Sequence, residues 1–150
     1  MNQWLSLRVP PLLLLALFLA VQAVFAPTSR AHGIWLFLSF LFALSSAAIA
    51  LAAVGSFRRG QTTVDPRQPQ RSSALLTHGV YSWTRNPMYL AFAGVLLAQT
   101  LYLASPFGLL WVAAFVAYLT QWQIKPEEAA LSERFGADYA AYRRRVRRWC

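Results

Sequence analysis

The chain has 150 residues, of which 57% are hydrophobic and only 13% are charged. Soluble domains contain about 45–50% apolar and about 25% charged residues, so this composition excludes an ordinary soluble protein. The net charge of +9 does not indicate a nucleic-acid-binding protein, because no soluble domain remains to carry a basic surface.

Apolar segments long enough to cross a membrane dominate the sequence, since a spanning helix needs about 20 mostly apolar residues. No Lys, Arg, Asp or Glu occurs in residues 9–29, 31–57 or 86–124. The first two segments hold one helix each, and the third holds two helices joined by a short turn. The sequence therefore predicts one all-α membrane domain over residues 1–150, with four transmembrane helices at residues 10–26, 33–55, 87–104 and 106–124.

Helix 1 has an alternative interpretation as a cleaved signal peptide. Arg8 precedes the apolar segment, and Val24-Phe25-Ala26 resembles a small-residue cleavage site. Pro27 would directly follow that cut, and the apolar segment is long for a signal peptide. We therefore favour a retained helix.

The basic residues predict the orientation in the membrane. Arg30 is the only Lys or Arg between helices 1 and 2, and the other basic residues precede helix 1, separate helices 2 and 3, or follow helix 4. Basic loops are retained on the cytoplasmic side, so both termini and the 56–86 loop should be cytoplasmic. Cys150 is the single cysteine, which excludes an internal disulfide, and no metal-ligand spacing occurs.

The first polar segment, residues 75–89, reads LLTHGVYSWTRNPMY and directly precedes helix 3. Pro87 suits the first turn of a helix, and Asn86 is then its predicted N-cap. Free backbone N–H groups at that helix start, beside Arg85, favour an anion. The aromatic residues supply flat faces for a ring or a cation, or form an interfacial aromatic belt: Tyr81, Trp83 and Tyr89.

The second polar segment follows helix 4 at residues 123–149. Pro126 is placed to start a helix, with Glu127 and Glu128 in its first turn, where acidic residues suit the helix dipole. Apolar residues then recur at helical spacing and predict one C-terminal amphipathic cytoplasmic helix: Leu131, Phe135, Tyr139, Tyr142, Val146 and Trp149. Gly136 within it suggests a close approach to the backbone, and the RRRVRRW sequence suits anionic membrane lipid.

Helices 3 and 4 form a hairpin, so the two polar segments should meet at its cytoplasmic end. A pocket there would offer a helix N-terminus and Arg85 for a carboxylate, acidic residues for hydroxyls or a cation, and aromatic faces for a ring. S-adenosylmethionine carries a carboxylate, ribose hydroxyls, a sulfonium cation and a flat purine ring. The composition of the pocket permits this ligand without singling it out.

The motifs LLTHGVYSWTRNPMYLA and PEEAALSERFGADYAAY resemble the integral-membrane methyltransferases related to isoprenylcysteine carboxyl methyltransferase and phospholipid methyltransferase, small bacterial members in particular. That pattern is G-x-Y-x-x-x-R-[HN]-P-x-Y, an E-E pair, and F-G-x-x-Y-x-x-Y. The resemblance covers residues 55–149 and implies a bacterial inner-membrane enzyme that binds S-adenosylmethionine between the polar segments.

The resemblance also implies residue roles. Arg85, Lys125 and Glu128 are the candidate catalytic residues. The candidate cofactor-binding residues line the adenosine, hold the methionine part, contact the ribose or amino group, or close the pocket. They are His78, Gly79, Val80, Tyr81, Arg85, Asn86, Pro87, Tyr89, Glu127, Glu128, Tyr139 and Tyr142. No metal is implied.

Two departures concern the methyl acceptor. Asn86 stands where the prenylcysteine enzymes have histidine, and it cannot act as a general base near neutral pH. Lys125 stands where those enzymes have an arginine linked to the acceptor carboxylate, and lysine lacks the bidentate fork. These departures count against a prenylated protein as the substrate. A lipophilic or amphiphilic acceptor is expected, and a lipid amine, a carboxylate and a thiol all remain open.

Two other functions remain as alternatives. Membrane sterol reductases share a similar C-terminal pocket and use NADPH, but they are longer and have more spans. A small membrane protein that binds lipid through its basic tail, without catalysis, is the other. The sequence does not indicate the oligomeric state.

Overall fold

The computed structural model describes residues 9–27, 31–59 and 75–150, and these form helices and turns without a strand. Arg8, Arg30 and most of the predicted cytoplasmic loop lie outside the described residues. The described helices are α1 (Pro11–Val24), α2 (Ile34–Arg59), α3 (Pro87–Tyr102), α4 (Gly108–Leu119) and α5 (Lys125–Arg145).

The four predicted membrane helices correspond to α1 to α4, but only one of these helices has both the length and the apolar composition to cross a membrane. That segment is Ile34–Ser56 of α2, whereas α1 and α3 are shorter apolar helices. At 1.5 Å per residue, a helix of 14 residues such as α1 is about 21 Å long, less than the roughly 30 Å hydrocarbon core. The predicted number of four spans therefore stays a prediction.

Helix α3 is the centre of the bundle and contacts α1, α2 and α4. The main core joins α1, α3, α4 and the π-helical turn that follows α4, through Leu14, Leu15, Tyr89, Leu96, Phe115, Leu119 and Ile124. Helix α2 packs its small and polar side against α3. Ser39 Oγ donates to the Ala98 carbonyl at 2.8 Å, and Gly94 lies so close to Ser46 that a Cβ at position 94 would overlap Ser46 Oγ. Its large apolar side chains remain exposed, as on a lipid-facing surface: Ile34, Trp35, Leu36, Phe37, Phe40, Leu41, Phe42, Leu44 and Leu51.

The hairpin of α3 and α4 turns over Leu103–Phe107, so α3 is shorter than predicted and α4 begins at Gly108. The two helices approach closely there, since a Cβ at Gly108 would lie within 3.0 Å of the Thr100 side chain. Gln22 of α1 reaches the same place and donates from Nε2 to Thr100 Oγ1 at 3.1 Å and to the Gly108 carbonyl at 3.2 Å. The hairpin therefore returns the start of α3 and the end of α4 to one end of the bundle.

Helix α4 continues into α5 through a π-helical turn at Thr120–Ile124. A proline ring inside a regular α-helix collides with the carbonyl four residues before it, which for Pro126 is that of Trp122. The wider π turn directly before Pro126 relieves this conflict. Helix α5 begins at Lys125 with Pro126 in its first turn, as the sequence predicts.

The prediction of a single amphipathic helix to Trp149 is wrong in two respects. Gly136 has φ +46° and ψ −115°, so α5 consists of two helical segments that meet at this residue. The second segment ends at Arg145, and Val146 is extended. The predicted close approach at Gly136 is also wrong, because no atom of the described residues would lie within 4 Å of a Cβ at this position; the glycine permits the kink instead.

Candidate functional site

Two arginines share one carboxylate where the two polar segments meet. Arg85 Nη2 lies 3.1 Å from Glu128 Oε1, and both side chains are 9% exposed. Arg148 binds the same carboxylate as a fork, with Nε 3.0 Å from Oε1 and Nη2 2.7 Å from Oε2. We call this group the Arg85–Glu128–Arg148 cluster. Its hydrogen bonds raise the pKa of Arg148, so this guanidinium stays charged.

The segment before α3 places Arg85 in this cluster. A 3₁₀ turn at Gly79–Ser82 begins with Gly79 at φ +64°, a backbone conformation that glycine adopts without steric cost. The turn buries Tyr81. The chain then leads into α3, and the backbone N–H of Arg85 donates to the backbone carbonyl of Arg147 at 3.0 Å.

Asn86 stands at the N-cap position of α3, but its side chain does not cap the helix. Its Nδ2 donates to the carbonyl of Arg148 at 2.9 Å. Thr84 Oγ1 donates to the same carbonyl at 3.2 Å and accepts the Asn86 N–H at 3.2 Å. The predicted capping role is wrong, because the amide is used to hold another segment of the chain.

That segment is residues 146–149, which we call the C-terminal tail. Besides the contacts to Arg85, Thr84 and Asn86, it is held by Trp149, whose Nε1 donates to Thr120 Oγ1 at 3.2 Å in the π turn. The sequence indicated only a polybasic end suited to lipid, and Arg148 was missed as a site residue. The arginines at 143, 144, 145 and 147 are exposed, and Arg148 alone among the last five is directed into the cluster.

Glu127 lies beside the cluster but is not part of it. Its Oε2 accepts a hydrogen bond from Tyr89 Oη at 3.2 Å. Burial raises the pKa of the Glu127 carboxyl to about 7, and the Glu128 charge adds to this, while the Tyr89 hydrogen bond opposes it. This carboxyl therefore binds a proton more tightly than an ordinary glutamate.

The raised pKa of Glu127 predicts a pH-dependent stability. The folded protein binds the Glu127 proton more tightly than the unfolded chain does. The contribution of this proton to the free energy of unfolding is therefore fully present below about pH 4.5 and is lost as the pH rises towards about 7. In Glu127→Gln the amide does not titrate and can still accept from Tyr89. We expect the melting temperature of this variant to rise relative to the wild type between pH 5 and pH 8.

Glu133→Gln is the matched control, since Glu133 is an exposed carboxylate on the same helix. Its melting temperature should differ from that of the wild type by the same small amount at every pH. A Glu127→Gln difference that does not change with pH would contradict the raised pKa.

Tyrosines of α5 connect it to the 3₁₀ turn. Tyr142 Oη donates to the carbonyl of Tyr81 at 2.7 Å, and the rings of Tyr139 and Tyr142 lie 6.2 Å apart. Burial raises the pKa of Tyr139 to about 12 and those of Tyr81 and Tyr142 well above their usual value. These hydroxyls therefore stay neutral and can donate hydrogen bonds. Leu75, Leu131, Phe135 and Val146 complete this small core with the two α5 tyrosines.

Other predicted site residues lie outside the cluster. Lys125 is exposed, and its Nζ donates to Gln121 Oε1 at 2.7 Å. His78 is exposed beside Thr77, and Val80 is partly buried in the 3₁₀ turn. Trp83 is 82% exposed, so its ring belongs to the surface rather than to the interior of the site. Pro87 is buried in the first turn of α3, as predicted.

Arg85 has unused hydrogen-bonding capacity. Its Nε and Nη1 are buried and have no hydrogen-bond partner among the described residues. A buried donor without a partner costs about 1–3 kcal/mol, and more when it is charged. Two guanidiniums facing one carboxylate also leave one positive charge in excess. The arrangement is therefore suited to a second carboxylate or another oxyanion.

Comparison with known proteins decides the family. Residues 12–138 match the family model described as phospholipid methyltransferase. The chain belongs to this family. The match confirms the resemblance and includes both polar segments as far as residue 138, but not the C-terminal tail.

Two curated proteins are similar to part of this phospholipid methyltransferase family member. An uncharacterised protein of Haemophilus influenzae is 42% identical over 62 residues, which are 41% of this chain and 98% of the relative. The protein-S-isoprenylcysteine O-methyltransferase of Saccharomyces cerevisiae is 35% identical over 72 residues, which are 48% of this chain. The chain covers only 30% of the yeast protein. No solved structure matches.

Proposed function

We propose that this protein transfers a methyl group from S-adenosylmethionine to a lipophilic or amphiphilic acceptor at the cytoplasmic face of the membrane. The observation that carries the proposal is Arg85, a buried guanidinium with two unpartnered nitrogens in a segment that matches the methyltransferase motif. The methionine part of the cofactor carries a carboxylate, and a guanidinium binds carboxylates as a fork. The residues present therefore fit this cofactor.

The cluster distinguishes the roles of the two adjacent acids. Glu128 already accepts hydrogen bonds on both oxygens from arginines, so its role is to hold Arg85 and Arg148 in place. In the described part of the chain, Glu127 accepts from the neutral Tyr89 hydroxyl and is not paired with an arginine. We therefore assign Glu127 to the cofactor's ammonium or ribose hydroxyls, and an ammonium group at this position would draw the carboxyl into its charged form.

The remaining residues bind and enclose the cofactor. The 3₁₀ turn of Gly79–Ser82 and the stretch from His78 to Tyr81 are assigned to the adenosine. Tyr139 and Tyr142 close this side, because Tyr142 fixes α5 to the carbonyl of Tyr81. Asn86 and Pro87 act indirectly, by holding the tail and the start of α3 beside Arg85. S-adenosylmethionine supplies a methyl group already activated by the sulfonium, so the protein contributes mostly position and exclusion of water.

The acceptor approaches from the membrane side in this proposal. The exposed apolar surface of α2 and the family relationship both suit a lipophilic acceptor. Lys125 is exposed at the start of α5, where its ammonium can contact an anionic headgroup. The proposed location is a bacterial inner membrane with both termini in the cytoplasm, on the distribution of basic residues.

The test is methyl transfer by the purified protein. We expect S-adenosylhomocysteine to raise the melting temperature, because a ligand that binds only the folded state stabilises it. With labelled S-adenosylmethionine and a bacterial membrane extract, we expect label in the lipid fraction, where mass spectrometry identifies the product. Stabilisation by NADPH instead would favour a reductase, and no response to either nucleotide would favour a non-catalytic membrane protein.

A further inference from the structure

Arg148 is the member of the Arg85–Glu128–Arg148 cluster that lies in the C-terminal tail. We infer that Arg148 is a positioning residue that keeps Arg85 available for the carboxylate of a bound ligand. This inference rests on the proposed function, and it concerns a residue outside the matched family region, which ends at residue 138.

The first step is the geometry of the shared carboxylate. Glu128 has two oxygens, and Arg148 takes both of them, at 3.0 Å and 2.7 Å. Arg85 reaches Glu128 with Nη2 only, at 3.1 Å, although its guanidinium could form a fork with a carboxylate. Arg148 therefore occupies the hydrogen-bonding positions that Arg85 would otherwise take, and Arg85 Nε and Nη1 remain unpartnered.

The second step is the charge balance. With Arg148 present, two guanidiniums face one carboxylate, and the cluster carries one positive charge in excess. Without Arg148, Arg85 and Glu128 would form a neutral pair, which attracts an anion much less. A unit charge several ångströms from a partly buried anion changes its affinity by roughly tenfold.

The third step is that Arg148 is held there independently of its own side chain. Its carbonyl accepts from Asn86 Nδ2 at 2.9 Å and from Thr84 Oγ1 at 3.2 Å. Trp149 Nε1 binds Thr120, and the carbonyl of Arg147 accepts the Arg85 N–H. A substitution of the Arg148 side chain therefore leaves the backbone of the tail in place.

The experiment measures two ligands on the full-length protein in detergent. S-adenosylhomocysteine carries the carboxylate, and its decarboxylated form keeps the adenosine and the amine. For Arg148→Gln we expect the Kd for S-adenosylhomocysteine to rise about tenfold or more, while that for the decarboxylated form changes less than about twofold. Arg148→Lys restores the charge and should recover most of the affinity.

Arg144→Gln is the matched control, because it removes the same charge from an exposed position near the C-terminal end of α5, four residues before Arg148. It should leave both constants unchanged. An equal loss of both ligands in Arg148→Gln would indicate a merely structural role and overturn the inference, as would unchanged binding of both. Absence of S-adenosylhomocysteine binding to the wild type would instead overturn the proposed function, and the inference with it.

Discussion

Replacing Glu128 with alanine is expected to lower the free energy of unfolding by about 3–5 kcal/mol, the typical cost of removing one partner from a buried ion pair. Two guanidiniums depend on this carboxylate, and Arg85 is nearly as buried as Glu128 itself. The alanine would leave Arg85 without its anionic partner and would release the Arg148 side chain. Urea unfolding in detergent, followed by tryptophan fluorescence, measures the difference.

Glu133→Ala is the comparison for this prediction, because Glu133 is an exposed acid on α5, and exposed substitutions usually change stability by less than about 0.5 kcal/mol. The Arg148→Gln variant should lie between the two, since Glu128 then keeps Arg85. A Glu128→Ala variant as stable as Glu133→Ala would mean that solvent replaces the cluster at little cost.

Replacing Arg85 with glutamine is expected to weaken S-adenosylhomocysteine binding by about a hundredfold. Two hydrogen bonds to a charged group, at about 1.5–3 kcal/mol each, total about 3–6 kcal/mol, so a hundredfold loss, about 2.7 kcal/mol, is the lower end of the expected effect. The fold should survive, because Glu128 remains bound to Arg148 through both oxygens. Isothermal titration with the purified variant measures the affinity, and its melting temperature reports whether it is folded.

Arg85→Lys separates charge from shape in this prediction. Lysine keeps the positive charge but offers no planar fork, so we expect it to recover only part of the affinity. Binding by Arg85→Gln at wild-type affinity would show that the ligand carboxylate lies elsewhere and would remove the main support for the proposed function.

The sequence predicted the helices and the meeting of the two polar segments, because both depend on strong and local signals. Long uncharged segments mark the helices, and a short hairpin must return its two ends to one side. Arg85 and Glu128, separated by the whole α3–α4 hairpin, are in contact in the structure. Pro87 also has the backbone position that its chemistry predicts.

The sequence did not predict the details that depend on tertiary contacts. Asn86 has the side chain of an N-cap, but a carbonyl from the tail competes for it. One arginine among several at the C-terminal end enters the cluster, and no periodicity distinguishes Arg148 from its neighbours. The helical spacing of the apolar residues from Leu131 to Trp149 predicted one helix, because this spacing continues across Gly136 although the helical backbone conformation does not.

The docking of the C-terminal tail has a consequence for the order of folding. The α3–α4 hairpin depends on contacts between neighbouring elements, whereas the bonds from Thr84 and Asn86 to Arg148 join residues more than 60 positions apart. Pairings between such distant residues form late, because the intervening chain must first be ordered. During synthesis the bundle helices therefore emerge before the segment that completes the arginine pair. Competence for the ligand should thus be acquired only after the α3–α4 hairpin has formed.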